Sequence, residues 1–149
     1  MSYHVYVSNS GSDWLSHFLM DEHTGRLEPQ ADIKLEATPG ALATDAAETL
    51  MFVALRSAKQ LGSYSIDRGS GRLSKISGAS LEEGPPYLRT DNTDRFLFAS
   101  YYGAGHVSVH GIDEGGNLSQ TPLQWIKTDI RAHSIQTDRS NRFAFVPHT

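Results

Sequence analysis

Seven histidines, six tyrosines, a scatter of arginines and no cysteine make up the chemical stock of this 149-residue chain. The reactive types gather in short stretches. Arg56 and Lys59 share one polar segment, Pro86 precedes Tyr87, Tyr101 and Tyr102 stand just ahead of His106, Arg131 lies two residues before His133, and His148 closes the set. A guanidinium presents a fork of N–H donors that fits a carboxylate or phosphate, and a phenol hydroxyl bonds a sugar hydroxyl or a carbonyl. An imidazole exchanges a proton near neutral pH. These types suit a small anionic ligand and a proton transfer.

Other chemistries are disfavoured by what is missing. Without cysteine there is no disulfide or thiolate, and no two histidines or carboxylates have metal-ligand spacing, so neither a metal nor another cofactor is expected. Ser134 lacks the Gly-x-Ser-x-Gly elbow of a nucleophile. The glycines of Tyr102-Gly-Ala-Gly105 precede no helix, so they read as a tight turn and not as a phosphate cradle. His4, His17, His23 and His110 fall in strands or turns and read as packing or surface residues. A formal charge of −4 with no basic cluster argues against nucleic acid or an anionic membrane as partner. Met1-Ser2-Tyr3-His4-Val5 runs straight into a strand pattern with no leader-like apolar segment, which makes a cytoplasmic setting the expectation.

The elements that must position these groups repeat at a period of about 46 residues. Gly25-Arg26-Leu27, Gly71-Arg72-Leu73 and Gly116-Asn117-Leu118 mark the period, and Thr44-Asp45, Thr90-Asp91 and Thr137-Asp138 mark it again. After each Thr-Asp a polar turn leads into an apolar strand beginning near Leu50, Phe96 and Phe143. A period of this length built from short strands is one β-propeller blade. The pattern predicts an all-β chain whose strands, named A to D from the channel outward, form about three blades and the start of a fourth. Residues 1–38 are a first blade without strand A, residues 39–84 a second, residues 85–130 a third, and residues 131–149 open a fourth with strand A at 133–137. Some 13 strands are too few to close a ring, so the missing C-terminal blades or self-association are expected to complete it.

In such a fold the D-to-A and B-to-C loops open on one face, at the mouth of the central channel. Arg56, Lys59, Pro86, Tyr87, Tyr101, Tyr102, His106, Arg131, His133 and His148 all belong to that rim, while the opposite turns carry Asp, Asn, Ser and Gly. His133 opens strand A of its blade, so its ring is expected to face the channel, and alternation turns Ser134 away.

Three segments carry a resemblance to a known family: Gly84-Pro-Pro-Tyr-Leu-Arg-Thr-Asp91, Ser100-Tyr-Tyr-Gly-Ala-Gly-His-Val-Ser-Val109, and Ala132-His-Ser-Ile-Gln-Thr-Asp-Arg-Ser-Asn-Arg-Phe-Ala-Phe-Val-Pro147. They resemble the N-terminal half of the seven-bladed lactonase propellers, which include the propeller type of bacterial 6-phosphogluconolactonase and fungal carboxy-cis,cis-muconate cyclase. The resemblance implies an enzyme that hydrolyses a sugar lactone such as 6-phosphogluconolactone, with muconate-type cyclisation as the nearest enzymatic alternative and a non-catalytic binding propeller as the alternative of another class. It further implies His133 as the catalytic residue. Arg56, Tyr87, Tyr101, Arg131 and His148 are the expected contacts to an anionic lactone or carboxylate.

Overall fold

The computed structural model describes residues 2–149. Its first sheet contains β1 (Ser2–Ser8) and β2 (Trp14–Asp21), with β3 (Leu27–Pro29) and β4 (Ile33–Lys34) both paired to β2. The outermost strand is broken in two after Pro29, with the Gln30 N–H still donating to the His17 carbonyl at 2.8 Å before the chain leaves β2. The second sheet runs in order through β5 (Pro39–Thr44), β6 (Leu50–Leu55), β7 (Gln60–Ile66) and β8 (Leu73–Ser80). The third repeats this order with β9 (Tyr87–Thr90), β10 (Phe96–Tyr101), β11 (His106–Gly111) and β12 (Gln124–Lys127), and β13 (Gln136–Thr137) with β14 (Ala144–Phe145) begins a fourth. All pairings are antiparallel, and no helix occurs among the described residues.

Strand alternation explains how one central strand serves two seams. Met51, Val53 and Leu55 of β6 pack with Leu15, Leu35, Ala37 and Tyr64 against the first sheet. Phe52 and Ala54 of the same strand face the other way and meet Leu88, Leu97, Ala99 and Tyr101 of the third. A strand buried on both faces must be apolar throughout, which is why Leu50–Leu55 carries no polar residue. Burying each of the larger side chains contributes roughly 1.5–3 kcal/mol.

The two marker motifs are turn clasps. Asp45, Asp91 and Asp138 each accept backbone N–H bonds from the residues four and five positions later, closing the turns between the first and second strands of their blades. The residues three after each Asp, Glu48, Asp94 and Asn141, take positive φ. Two of them also reach the preceding blade: Asp94 accepts from the Ala46 N–H, and Asn141 accepts from the Asn92 N–H while its amide donates to Asp91. Asp21 and Asp67 clasp the outer turns through the N–H groups two and three positions later, and Asp113 through those two and four later.

The fourth sheet departs from the expected strand at 133–137. Only Gln136 and Thr137 pair as a ladder with Phe145 and Ala144, while Ala132 forms an isolated bridge to His148. Pro147 explains the interruption. Its carbonyl accepts the His133 N–H at 3.0 Å, but proline cannot return a bond, so the ladder skips this position.

Candidate functional site

His133 therefore sits in a loop-like segment immediately before β13, and the third and fourth sheets converge around it. Tyr102, one residue beyond β10, places its ring edge-on to the imidazole with centroids 6.0 Å apart at 79°. The Tyr102 carbonyl accepts the Arg131 N–H at 2.8 Å, and the Arg131 carbonyl accepts the Thr149 N–H at 3.3 Å. Arg131 takes φ of 68°, a left-handed turn that swings the chain from the outer loop into this position. The Thr149 hydroxyl donates to the Tyr102 hydroxyl at 3.1 Å, which leaves the phenolic O–H free to donate to a ligand.

The two imidazoles of the cluster have different freedom. His148 Nδ1 lies 3.0 Å from the Ile130 carbonyl oxygen; a carbonyl only accepts, so Nδ1 carries a proton and donates. The exposed His133 ring makes no hydrogen bond among the described residues. The cluster thus offers one imidazole without a hydrogen bond, one oriented imidazole and a phenolic donor, with the Arg131 backbone bonded among them.

Arg56 lies elsewhere on that rim, at the boundary of the first and second sheets. Its aliphatic stem runs over Gly40 and Gly84: a Cβ on Gly40 would lie 2.6 Å from Arg56 Cδ, and one on Gly84 would lie 3.4 Å from Arg56 Cγ. Glycine at these two positions lets the side chain pass. Arg56 then lines a cleft of about 610 Å³ together with Tyr6, Ser8, Ser10, Pro39 and Pro86. Tyr87 is half-buried on β9, and its hydroxyl accepts from Gln136 Nε2 at 3.4 Å, which ties it to the fourth sheet. The structure brings Arg131, His133 and His148 together, links Tyr87 to the strand that follows them, and sets Arg56 apart in its own cleft.

Tyr101 does not belong to the rim. It is fully buried in the seam between the second and third sheets, with its hydroxyl 3.1 Å from Ser108 Oγ and its ring 4.8 Å from that of Trp125. Burial pushes its phenol up to about 12. The reason is parity: Leu97, Ala99 and Tyr101 alternate on one face of β10, so the third follows the first two inward. Tyr102, its neighbour beyond the end of β10, is 40% exposed. The alternation was present in the sequence as the signal that separates the two.

Comparison with known proteins adds family and fold. The profile of the family described as "Lactonase, 7-bladed beta-propeller" matches residues 2–83. No curated protein matches the chain. Among solved structures, the periplasmic gluconolactonase PpgL of Pseudomonas aeruginosa aligns over 99% of this chain and 47% of its own, with 21% identity and a TM-score of 0.84. A putative 6-phosphogluconolactonase from Bacteroides uniformis aligns over 97% and 44%, with 13% identity and a TM-score of 0.86. A protein from Lactobacillus plantarum aligns over 97% and 45%, with 21% identity and a TM-score of 0.86. The chain spans less than half the length of each of these structures.

Proposed function

The chain belongs to the lactonase family of seven-bladed β-propellers, and from that premise we propose that it supplies part of the active rim of an enzyme hydrolysing a sugar lactone, of the 6-phosphogluconolactone type. The observation that carries this reading is the unengaged His133 imidazole held beside Tyr102 and Arg131. His133 takes a proton from water as the water oxygen bonds to the lactone carbonyl carbon. The Tyr102 O–H donates to the carbonyl oxygen as it becomes an oxyanion, and an arginine holds the ligand's phosphate or carboxylate. Collapse of the tetrahedral species breaks the ring C–O bond, and the imidazolium returns its proton to the departing alkoxide. The product is the open-chain acid. Arg56, in its separate cleft, suits the charged end of a ligand lying across the channel mouth.

The test is hydrolysis of 6-phosphogluconolactone and of gluconolactone by the ring-closed protein, followed by acid release. His133→Ala is expected to lower kcat by at least ~100-fold, the usual range for a general base. Equal rates in parent and variant would sink this assignment. Turnover of a carboxymuconate with no lactone hydrolysis would instead favour the cyclase reaction.

A further inference from the structure

The seam between the first and second sheets is latched by two histidines. His4 Nδ1 and His17 Nε2 are 2.9 Å apart, and His4 Nε2 lies 3.2 Å from the Arg68 carbonyl oxygen. Because a carbonyl accepts and never donates, His4 carries its proton on Nε2. Its Nδ1 must then accept, so His17 Nε2–H is the donor. The result is a directed chain from His17 through His4 to the backbone of the outer turn of the second sheet.

That turn is seated on the pair. Gly71 takes φ of 71°, and a Cβ there would lie 2.5 Å from both His17 Nε2 and His4 Nδ1. The Gly71 carbonyl accepts the Tyr6 hydroxyl at 2.8 Å, and the Tyr6 ring stacks on His17 with centroids 5.1 Å apart at 8°. At the next seam the period places Ser63 where His17 stands, and its hydroxyl donates to the Gly116 carbonyl of the following turn. Both seams seat a turn on the preceding blade, but only the first does so through groups that titrate.

One added proton is accommodated: a charged His4 donates from Nε2 to the Arg68 carbonyl and from Nδ1 to His17 Nε2, with His17 holding its own proton on the far nitrogen. A second proton has no good place. It sets two N–H groups head to head across 2.9 Å and charges the His17 ring, which is 4% exposed and packed against Tyr6. The surrounding charges do not offset this. Arg68 and Glu48, from the second sheet, border the cleft beside His4. The Asp67 carboxylate is bonded to Gly69, Ser70 and the Ser70 hydroxyl. Farther out, Glu36 of the first blade pairs with Lys75 and Tyr64 of the second. No carboxylate hydrogen-bonds either imidazole among the described residues.

We propose that the His4–His17 pair is a pH-sensitive latch, which holds the turn at residues 67–72 onto the first blade while at least one ring is neutral and releases it when both are protonated. The test is amide hydrogen exchange across residues 67–72 of the 149-residue chain, corrected for intrinsic rates, together with NMR titration of the imidazoles. Between about pH 7.5 and 4 the parent is expected to lose roughly tenfold or more of its protection there, as local opening becomes linked to uptake of the second proton. His17→Ser, which copies the next seam, is expected to show less than about a threefold change over the same range. His4→Gln serves the same purpose if His17→Ser does not fold. His110, the other buried imidazole, is retained in every variant, so only the difference from the parent is read. An equal pH response in parent and variant overturns the proposal. So does an unchanged turn while both imidazoles titrate.

Discussion

At the scale of single residues, the adjacent tyrosines separate structure from chemistry. Tyr101→Phe removes the hydroxyl bonded to Ser108 inside a closed seam and is expected to cost about 1 kcal/mol of stability while leaving lactone hydrolysis within about twofold. Tyr102→Phe removes a rim hydroxyl whose own proton is free. It is expected to lower kcat by ~10-fold or more with little change in stability. Urea unfolding and initial rates on the two variants check both expectations, and a reversed pattern would mean that the rim has been misassigned. His110 makes a different residue-level prediction. It is fully buried, Nδ1 faces the Ser119 carbonyl, and Nε2 is buried without a partner among the described residues. Burial therefore holds its pKa below the ordinary value. A histidine with a depressed folded pKa binds its proton more readily in the unfolded chain. Its contribution is thus intact above the unfolded value near 6.5 and is lost as pH falls from there through the lower folded value. Melting temperature against pH should decline from about pH 6.5 downward in the parent and less steeply in His110→Leu.

At the scale of strands and turns, most of the architecture was legible because it rests on local chemistry. Apolar runs such as Leu50–Leu55 announce strands buried on both faces, and the Asp and Gly markers announce the turns that join them. Legibility failed where a tertiary partner decides. The outer strand of the first sheet forms as two short pieces, Leu27–Pro29 and Ile33–Lys34, and the strand expected from His133 shrinks to Gln136–Thr137 because Pro147 faces it. The His4–His17 contact joins two strands to a turn more than fifty residues away, and no spacing rule announces such a meeting. The turn clasps carry their own tests. Asp91 accepts from Thr93, Arg95, Phe96 and Asn141 while 2% exposed, so Asp91→Ala is expected to cost about 2–4 kcal/mol by urea unfolding. Burial alone would raise its carboxyl, but the hydroxyl, amide and backbone donors outweigh it and hold the pKa down. That contribution is therefore present above the unfolded carboxyl value and lost as pH falls through the lower folded one.

At the scale of the whole molecule, the two outward faces of the stack differ from the seams inside it. In the seams, Leu55, Leu61 and Leu97 are fully covered. On the fourth sheet, Phe143 and Phe145 are each 61% exposed, and on β1 Tyr3 and Val7 are 46% and 45% exposed. The period aligns Phe143 and Phe145 with Phe96 and Phe98 and with Leu50 and Phe52, and of these Leu50 and Phe52 pack toward the next blade. The same positions in the fourth sheet are therefore built for a neighbouring sheet, and an apolar face with an unpaired strand edge associates when that neighbour is absent. For the 149-residue chain by itself, light scattering is expected to show mass rising with concentration, and Phe143→Glu with Phe145→Ser is expected to reduce that rise. A strictly monomeric chain with a cooperative melt would show that these faces tolerate water and that a ring is not needed for stability. If association is instead relieved by supplying the remaining blades as a separate polypeptide, and lactone hydrolysis appears only in the mixture, then the rim around His133 is half of a site that closing the ring completes.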